Sequence, residues 1–551
     1  MTTSLGKLQL LVDKQAKQIL KLQERVETLT TEKYEYKRKY ETLKKKYDEL
    51  NNKIDNIIET RIKSDIEKAL KPIAEKYEKT IAEKEKRIFE LENRLNINSQ
   101  TSSLPSSKDP LNKPREEIQN NNEKTDRKVG GQPNHPKNKL EKFSDEEITE
   151  VQLHKTETCD KCNSSDLEII EVDERDELDF DIKIKKIRHK FYTCKCRNCG
   201  EIIKTEIPPQ LHADNQYGSN VKSLIISLYD YGFVSFARTR EIIYGLTNGE
   251  INPCEGYMVK VQKAAGKMLE TFTFDIAEVF KDKENPPEII QWDDTVVRIG
   301  EKEKACFRSY TDRTFVLFKA HDAKDTKGMD EDGILQNLSD KTIVEHDHLK
   351  RNYCKDYKYQ NAECNAHATR KLKGITVNTN HKWSKEMEDL LKSTLAKRKD
   401  YIANEIKSFS KEELDDILKK YDEIVEKGFI EYIEYKHKYD YEKEENLLEF
   451  FRDYKENITM WMKNFAVPYS NNFVESLLRM IKTKMKISMQ FKSLEHARYF
   501  ANIRSYVETC GNFGIHKVEA LNRLFSGNPY SVKELFDIRN NRKSSNDTVI
   551  E

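Results

Sequence analysis

No apolar run in this sequence approaches the roughly 20 residues that span a bilayer, and the N-terminus lacks the short apolar core of a secretory signal. Membrane and exported readings are therefore set aside, and a cytosolic protein is expected. Cysteine is scarce: ten in 551 residues, too few for a disulfide framework, so any close pairs point to metal instead. Charge of one sign is missing too. The formal net charge is +1, so total charge gives no argument for nucleic acid, and any such surface must come from local segregation.

What is present is charge in quantity. Charged residues make up 35% of the chain and hydrophobic ones 36%, a balance that predicts long solvated helices around modest cores. The length alone suggests about two to four domains. From Ile19 an apolar series runs through Leu22, Val26, Leu29, Tyr36, Tyr40, Leu43, Tyr47, Leu50, Ile54 and Ile57 in steps of three and four, with Lys33 as its polar member. That 3.5-residue spacing predicts a coiled coil over residues 1–97 that pairs protomers; a single helix lying on the rest of the protein is the alternative. Pro72 is expected to interrupt or kink it. Residues 98–145 are polar, proline-broken and basic, and read as a flexible linker.

Cys159-x-x-Cys162 and Cys196-x-x-Cys199 follow. Two such knuckles offer four thiolates, the preference of structural Zn²⁺, so residues 146–210 read as a zinc-ribbon-like module. Cys194 competes with Cys196 as ligand. Alternation at Phe180, Ile182, Ile184 and Phe191 predicts a hairpin carrying the second knuckle, and Lys183, Lys185, Lys186, Arg188 and Lys190 make it basic. Residues 211–283 read as short helices punctuated by Gly232, Gly245 and Gly249. A helix-turn-helix-like DNA-binding region and a plain helical connector fit equally well.

From Pro287 the pattern turns to strands. Glu288–Ile299 carries Asp293 and Asp294 in its middle, Ala305–Tyr310 and Thr314–Ala320 form a hairpin turning at Asp312-Arg313, and a helix is expected around Gly333–Leu338. Thr342–Asp347 is a short strand ending in an acid, and Ala362–Leu372 a strand leading into a helix that bears Arg370 and Lys371. This is the element order of a ribonuclease-H-like α/β domain. Acids within strands are costly if buried unpaired, and a divalent cation such as Mg²⁺ resolves that cost. Strand alternation sends Asp293 and Asp294 to opposite faces, so only one faces any such site.

The chain resembles the IS66-type transposases over roughly residues 95 to 530. The resemblance rests on the Gly130-Gly131-Gln132-Pro133 turn with His135, the two knuckles, the Asp293-Asp294-Thr295 strand, Ala366–Lys371, and Ser470-Asn471-Asn472-Phe473-Val474-Glu475. It departs from the family at Asp294, where Glu is usual, and at Thr369. The resemblance implies a DDE-type enzyme whose Mg²⁺ or Mn²⁺ ions are held by Asp293, Asp347 and Glu475, with family register favouring Asp293 over Asp294. It also implies a bacterial protein and a helical insertion in the catalytic domain. The expected architecture is multidomain α+β, with the catalytic domain over 284–382 and 464–530, the insertion over 383–463, and a C-terminal tail over 531–551. Arg479, Lys482, Lys484 and Lys486, just after Glu475, are expected to bind DNA with the basic residues already named. The expected partners are double-stranded DNA, further copies of the chain through the coiled coil, and accessory transposition proteins. The expected function is metal-dependent cleavage and strand transfer of an insertion sequence's ends; the alternatives are a nuclease without strand transfer and an inactive DNA-binding scaffold.

Overall fold

The computed structural model describes residues 2–54, 61–95, 142–211, 213–439 and 442–546. Most of the linker, with the Gly-Gly-Gln-Pro turn and His135, lies outside them, as does Ile57. The chain divides into two compact units, one of Met1–Asn112, Phe191–Ile242 and Asn252–Glu551, the other of Lys113–Lys190 and Ile243–Ile251. The fold mixes helix and sheet, as expected. Among the described residues no helix is long and apolar enough to cross a membrane.

In the first unit, helices α1 (Thr2–Ile54) and α2 (Arg61–Leu95) pack against each other. Lys33 Nζ meets Glu85 Oε1 at 3.0 Å, Lys84 Nζ meets Glu32 Oε2 at 2.6 Å, and the Tyr36 and Tyr77 rings lie 5.7 Å apart. Residue numbers fall along one helix as they rise along the other, so the pair is an antiparallel hairpin within one chain. The predicted seam is the buried one: Leu29 is 1% exposed, and its neighbours from Ile19 to Tyr47 are half-buried. The partner that covers it here is α2. The interruption expected as one outcome at Pro72 does not occur: α2 continues through it. The ring faces solvent, so the helix loses a donor without a clash in its packed face.

Strands β1 (Thr193–Lys195) and β2 (Ile202–Lys204) form a small antiparallel hairpin around the second knuckle. The strand pattern expected from Phe180 to Phe191 is not realised. The described stretch from Val151 to Tyr192 has no regular structure, because side chains such as Phe180 (74% exposed) have no core to enter. Helices α3 (Ser219–Ile226), α4 (Phe236–Leu246), α5 (Glu255–Met268) and α6 (Glu270–Lys281) follow. A π-helical turn, Ser227–Tyr231, extends α3.

A five-stranded sheet holds the centre of this unit. Its strands are β3 (Ile289–Ile299), β4 (Lys302–Thr311), β5 (Val316–His321), β6 (Ile343–His346) and β7 (Gln360–Glu363), in the order β5-β4-β3-β6-β7. The first three are antiparallel, turning at Arg313 (φ +70°), while β6 and β7 run parallel to β3. Helix α7 (Thr326–Asp332) precedes the expected Gly333–Leu338 segment, where Gly333 is instead the left-handed cap and Leu335–Asn337 a 3₁₀ turn. After β7 come α8 (Asn365–Thr379), α9 (Lys382–Ala403), α10 (Lys411–Tyr439), α11 (Glu442–Asp453), α12 (Lys455–Ile458) and α13 (Met460–Lys463). Ser410 and Glu413 cap α10 reciprocally, as their spacing predicts.

Helices α14 (Asn472–Ser488), α15 (Leu494–Asn512), α16 (Lys517–Phe525) and α17 (Val532–Asn546) complete the chain. One core joins Leu477, Leu478 and Ile481 of α14 and Phe500 of α15 to Phe307, Val316 and Phe318 of the sheet. A second gathers Trp383, Leu391, Tyr421, Leu448 and Trp461 with Ile343 and Ala362 at the sheet's other edge. The tail expected from 531 instead begins packed: Leu535 is fully buried and the Phe536 ring lies 5.0 Å from Phe315.

Candidate active site

The candidate acids arise from register. β3 and β6 align Gln291 with Glu345, so two residues on, and on the same face, Asp293 falls beside Asp347 at the end of β6. The Asn471-Asn472 segment then brings in the third carboxylate. Asn471, fully buried, donates from Nδ2 to the Trp292 carbonyl at 2.9 Å and from its backbone N–H to Cys364 Sγ at 3.2 Å. That clamp seats the start of α14 against β3 and leaves Glu475 one turn in.

Ligand atoms of Asp347, Cys364, His367 and Glu475 lie within 4.8 Å of one another. His367 comes from the first turn of α8, with Nδ1 2.7 Å from Asp347 Oδ1 and 3.8 Å from Glu475 Oε1. None of these three buried atoms is aligned in a hydrogen bond among the described residues. Asp293 stands outside this tightest set, its Oδ1 accepting from the Asp294 N–H at 2.7 Å. It remains electrostatically part of the site. Burial, with the negative charges of Asp347, Asp294 and Glu475, pushes its carboxyl up to about 8. Burial also acts on Asp347, but the His367 imidazole more than offsets it and holds that carboxyl below its ordinary range. His367 is raised in turn: burial opposes its charge and Asp347 outweighs it.

Asp294 points the other way, onto Lys324 Nζ at 2.6 Å and the Arg351 guanidinium. Two cations answer that carboxylate, whereas among the described residues none pairs with Asp293. Below the site Glu345 is fully buried, accepting from Gln291 Nε2 at 2.5 Å, with its other oxygen in no hydrogen bond among the described residues and its carboxyl pushed up to about 8 by burial. Glu345, Cys364 and His367 are the site's additions to the three acids expected. Glu345 was legible, since it shares a strand face with Asp347 two residues on. Cys364 was not, because nothing local marks a thiol as reaching a distant backbone amide. Its burial raises the thiol well above its ordinary range, and its sulfur accepts the Asn471 N–H.

The donor set fits a divalent cation: buried carboxylate oxygens and one imidazole that face one another across the site. Around it, Arg479, Lys482 and Lys486 are exposed on α14, and Arg370 and Lys371 are half-buried on α8, Lys371 with its ammonium 5.4 Å from the Phe450 ring. Lys484 departs from the expectation of an exposed basic face. It is 3% exposed, its stem carried inward by the same stripe as Ile481.

Each candidate zinc knuckle has its own turn. Cys159 N–H donates to Ser164 O at 2.9 Å and Asn163 N–H to Cys159 O at 2.8 Å; Cys196 N–H donates to Glu201 O at 2.7 Å and Gly200 N–H to Cys196 O at 2.9 Å. Asn163 (φ +53°) and Gly200 (φ +78°) close the two turns alike. Backbone N–H groups, chiefly of Lys161 and Cys199 respectively, lower the Cys159 and Cys196 thiols. Cys194 lies instead in β1 opposite Ile203. Lys183, Lys185, Arg188 and Lys190 are exposed, and Lys186 pairs with Glu250 at 2.6 Å.

A family model described as the IS66 family of transposases matches residues 218–499, just over half of the chain. The chain belongs to the IS66 transposase family. The matched span runs from α3 through the sheet and α14 into α15, and so contains the whole acid cluster. Membership makes this a transposase of the insertion-sequence kind, a nucleic-acid-processing enzyme of a family that works with divalent metal. A second model, described only as a family of unknown function, matches residues 35–141. No curated protein and no solved structure matches.

Proposed function

We propose that this transposase cleaves the ends of its insertion sequence and joins the freed 3′ ends to target DNA, with Asp293, Asp347 and Glu475 as the metal-holding acids. The observation that carries the reading is the convergence of buried Asp347, Glu475 and His367 atoms beside Asp293, with His367 as the one imidazole among the acids. The strand order β5-β4-β3-β6-β7, with three antiparallel strands and two parallel ones, supports a ribonuclease-H-like catalytic domain. Mg²⁺ or Mn²⁺ held by the three acids supplies activation of the attacking oxygen and charge neutralisation at the leaving one.

The chain's own residues do the rest. Asn471 fixes the direction of Glu475, and the Lys324–Asp294–Arg351 pairing keeps the neighbouring carboxylate out of the site. His367 holds its ring against Asp347 and Glu475 and limits their repulsion. Arg479, Lys482, Lys486, Arg370 and Lys371 bind phosphates. In the first step water attacks the phosphodiester at the element end and the 3′-oxygen leaves as a hydroxyl. In the second, that hydroxyl attacks a target phosphodiester and displaces a target 3′-oxygen. Thiolates suited to structural Zn²⁺ on each knuckle, Cys159 with Cys162 and Cys196 with Cys199, are the reading their matched turns support, with Cys196 preferred to Cys194.

The test is incubation of the full chain with Mg²⁺ or Mn²⁺, target plasmid and terminal DNA, both uncut and pre-cut. Joined products from pre-cut ends are expected. Hydrolysis without joining would establish a nuclease instead, and end binding with neither product would leave a scaffold.

A further inference from the structure

The hairpin of α1 and α2 leaves one end of its seam uncovered. The contacts Lys33–Glu85, Glu32–Lys84 and Tyr40–Glu78 fix its register. Carried along both helices, that register sets Val26 level with Leu91, and Leu22 level with Leu95, the last residue of α2. Thr2–Lys21 therefore projects past α2 by roughly 30 Å at 1.5 Å per residue. The heptad pattern does not stop there. Leu5, Leu8, Val12, Gln15 and Ile19 continue the steps of three and four that run on through Leu22, Val26 and Leu29. Leu8 and Leu29 hold the same heptad position, yet Leu29 is 1% exposed and Leu8 62%. Leu11, beside the seam, is 55% exposed. Among the described residues α2 is the one element that packs along α1.

Three observations say what covers the overhang. Beyond Leu95 the sequence is polar and carries Pro105, Pro110 and Pro114, a spacing that prevents a helix long enough to line it. The positions flanking the seam differ along α1. Where α2 is present they carry charge that α2 answers, as Lys84 answers Glu32. In the overhang they are Thr2, Ser4, Gln9, Leu11, Ala16 and Gln18, so two identical helices meeting there face no like-charge repulsion. The register supplies the third. Because α2 runs antiparallel to α1 and stops opposite Leu22, a second overhang entering antiparallel takes the place that α2 vacates. Setting Leu8 against Val12 of the second copy puts the second Thr2 opposite Gln18, just clear of Leu95. A shift by one heptad drives it into the end of α2.

We propose that the overhangs of two copies of this chain pair antiparallel about a two-fold axis near Leu10, while the rest of each seam stays closed within its own chain. Leu8 of each copy packs on Val12 of the other, and the two Leu11 side chains flank the axis. Such an isologous contact uses the same patch on both partners, so the assembly closes at two. The pairing brings two active sites into one assembly, one for each end of the insertion sequence. In that purpose, though not in its structure, it rests on the function proposed above.

The test is sedimentation of the full chain without DNA, over roughly 1–100 µM, for wild type and the double variant Leu8→Glu with Val12→Glu. Wild type is expected to form a reversible dimer. The variant should raise the dissociation constant by at least about 10²-fold, with helix content by circular dichroism unchanged. A benzophenone amino acid in place of Leu11 then reports which segment lies on the overhang. Photolysis should give a band of dimer mass whose linked peptide comes from residues 2–18 of the second copy. A monomeric wild type, a dimer that survives the double variant, or a cross-link of monomer mass to residues 98–141 overturns the proposal. A dimer lost in the variant, from a protein that neither cuts nor joins DNA, leaves the pairing standing and removes the transposition chemistry.

Discussion

Two adjacent aspartates show how far a single residue's role follows from its strand face. Alternation puts Asp293 and Asp294 on opposite sides of β3, and only Asp294 meets cations there, Lys324 and Arg351. Asp294→Asn therefore strands two positive charges. Breaking a buried pair costs roughly 3–5 kcal/mol, and the partial exposure of Lys324 and Arg351 puts this case toward the lower end. The melting temperature should fall while metal-dependent activity per folded molecule stays near the wild-type level, as thermal denaturation alongside a cleavage assay would show. An inactive but stable Asp294→Asn would exchange the two roles. The sequence made the opposition of these faces legible, and the resemblance named Asp347 and Glu475, which the fold brings within reach of one imidazole, His367. It was silent on the burial of Lys484, because spacing alone does not say which side of a basic helix meets the protein.

At the scale of elements, the start of α14 and the turn after α3 each place one buried polar group where its loss is measurable. Asn471 ties α14 to the Trp292 carbonyl. Asn471→Ala leaves that carbonyl unpaired at roughly 1–3 kcal/mol and frees Glu475 to drift, and a misplacement of about 1 Å costs on the order of 10²-fold in rate. Cleavage should fall far more than end binding; equal losses in both would mean general unfolding. In the π-helical turn, burial pushes Asp230 up to about 6. Between roughly pH 4 and 6 the native state keeps a proton that the unfolded chain has released, so stability falls as pH rises through that window, by at most roughly 3 kcal/mol. Asp230→Asn should flatten that part of the stability–pH curve, read from denaturant titrations. Strands and helices around the acids followed from periodicity because each packs on a core. Phe180–Phe191 has the same alternation and no core, so pattern alone misread it.

Across the whole molecule, the N-terminal periodicity was legible and its partner was not. A heptad seam says that a helix is covered, and the same 3.5-residue spacing serves a second helix of the same chain or of another copy. Here Tyr36 faces Tyr77 and Lys33 faces Glu85. Treating the double variant Tyr36→Cys with Tyr77→Cys with a short bifunctional maleimide should give a cross-link within one chain, visible as a faster-running monomer on a denaturing gel. Covalent dimers from Tyr36→Cys alone would instead show the seam closed between copies. The same scale carries the central claim, that acids drawn from β3, β6 and α14 act as one metal site. The measurement that tests it most directly is Mg²⁺- or Mn²⁺-dependent cleavage and joining of the element's terminal DNA by wild type, Asp293→Asn, Asp347→Asn and Glu475→Gln. Charge stabilisation by such a site is worth several kcal/mol, so each variant should lose at least about 10²-fold in both steps while still binding the ends. Activity that survives any one of these substitutions would contradict the account.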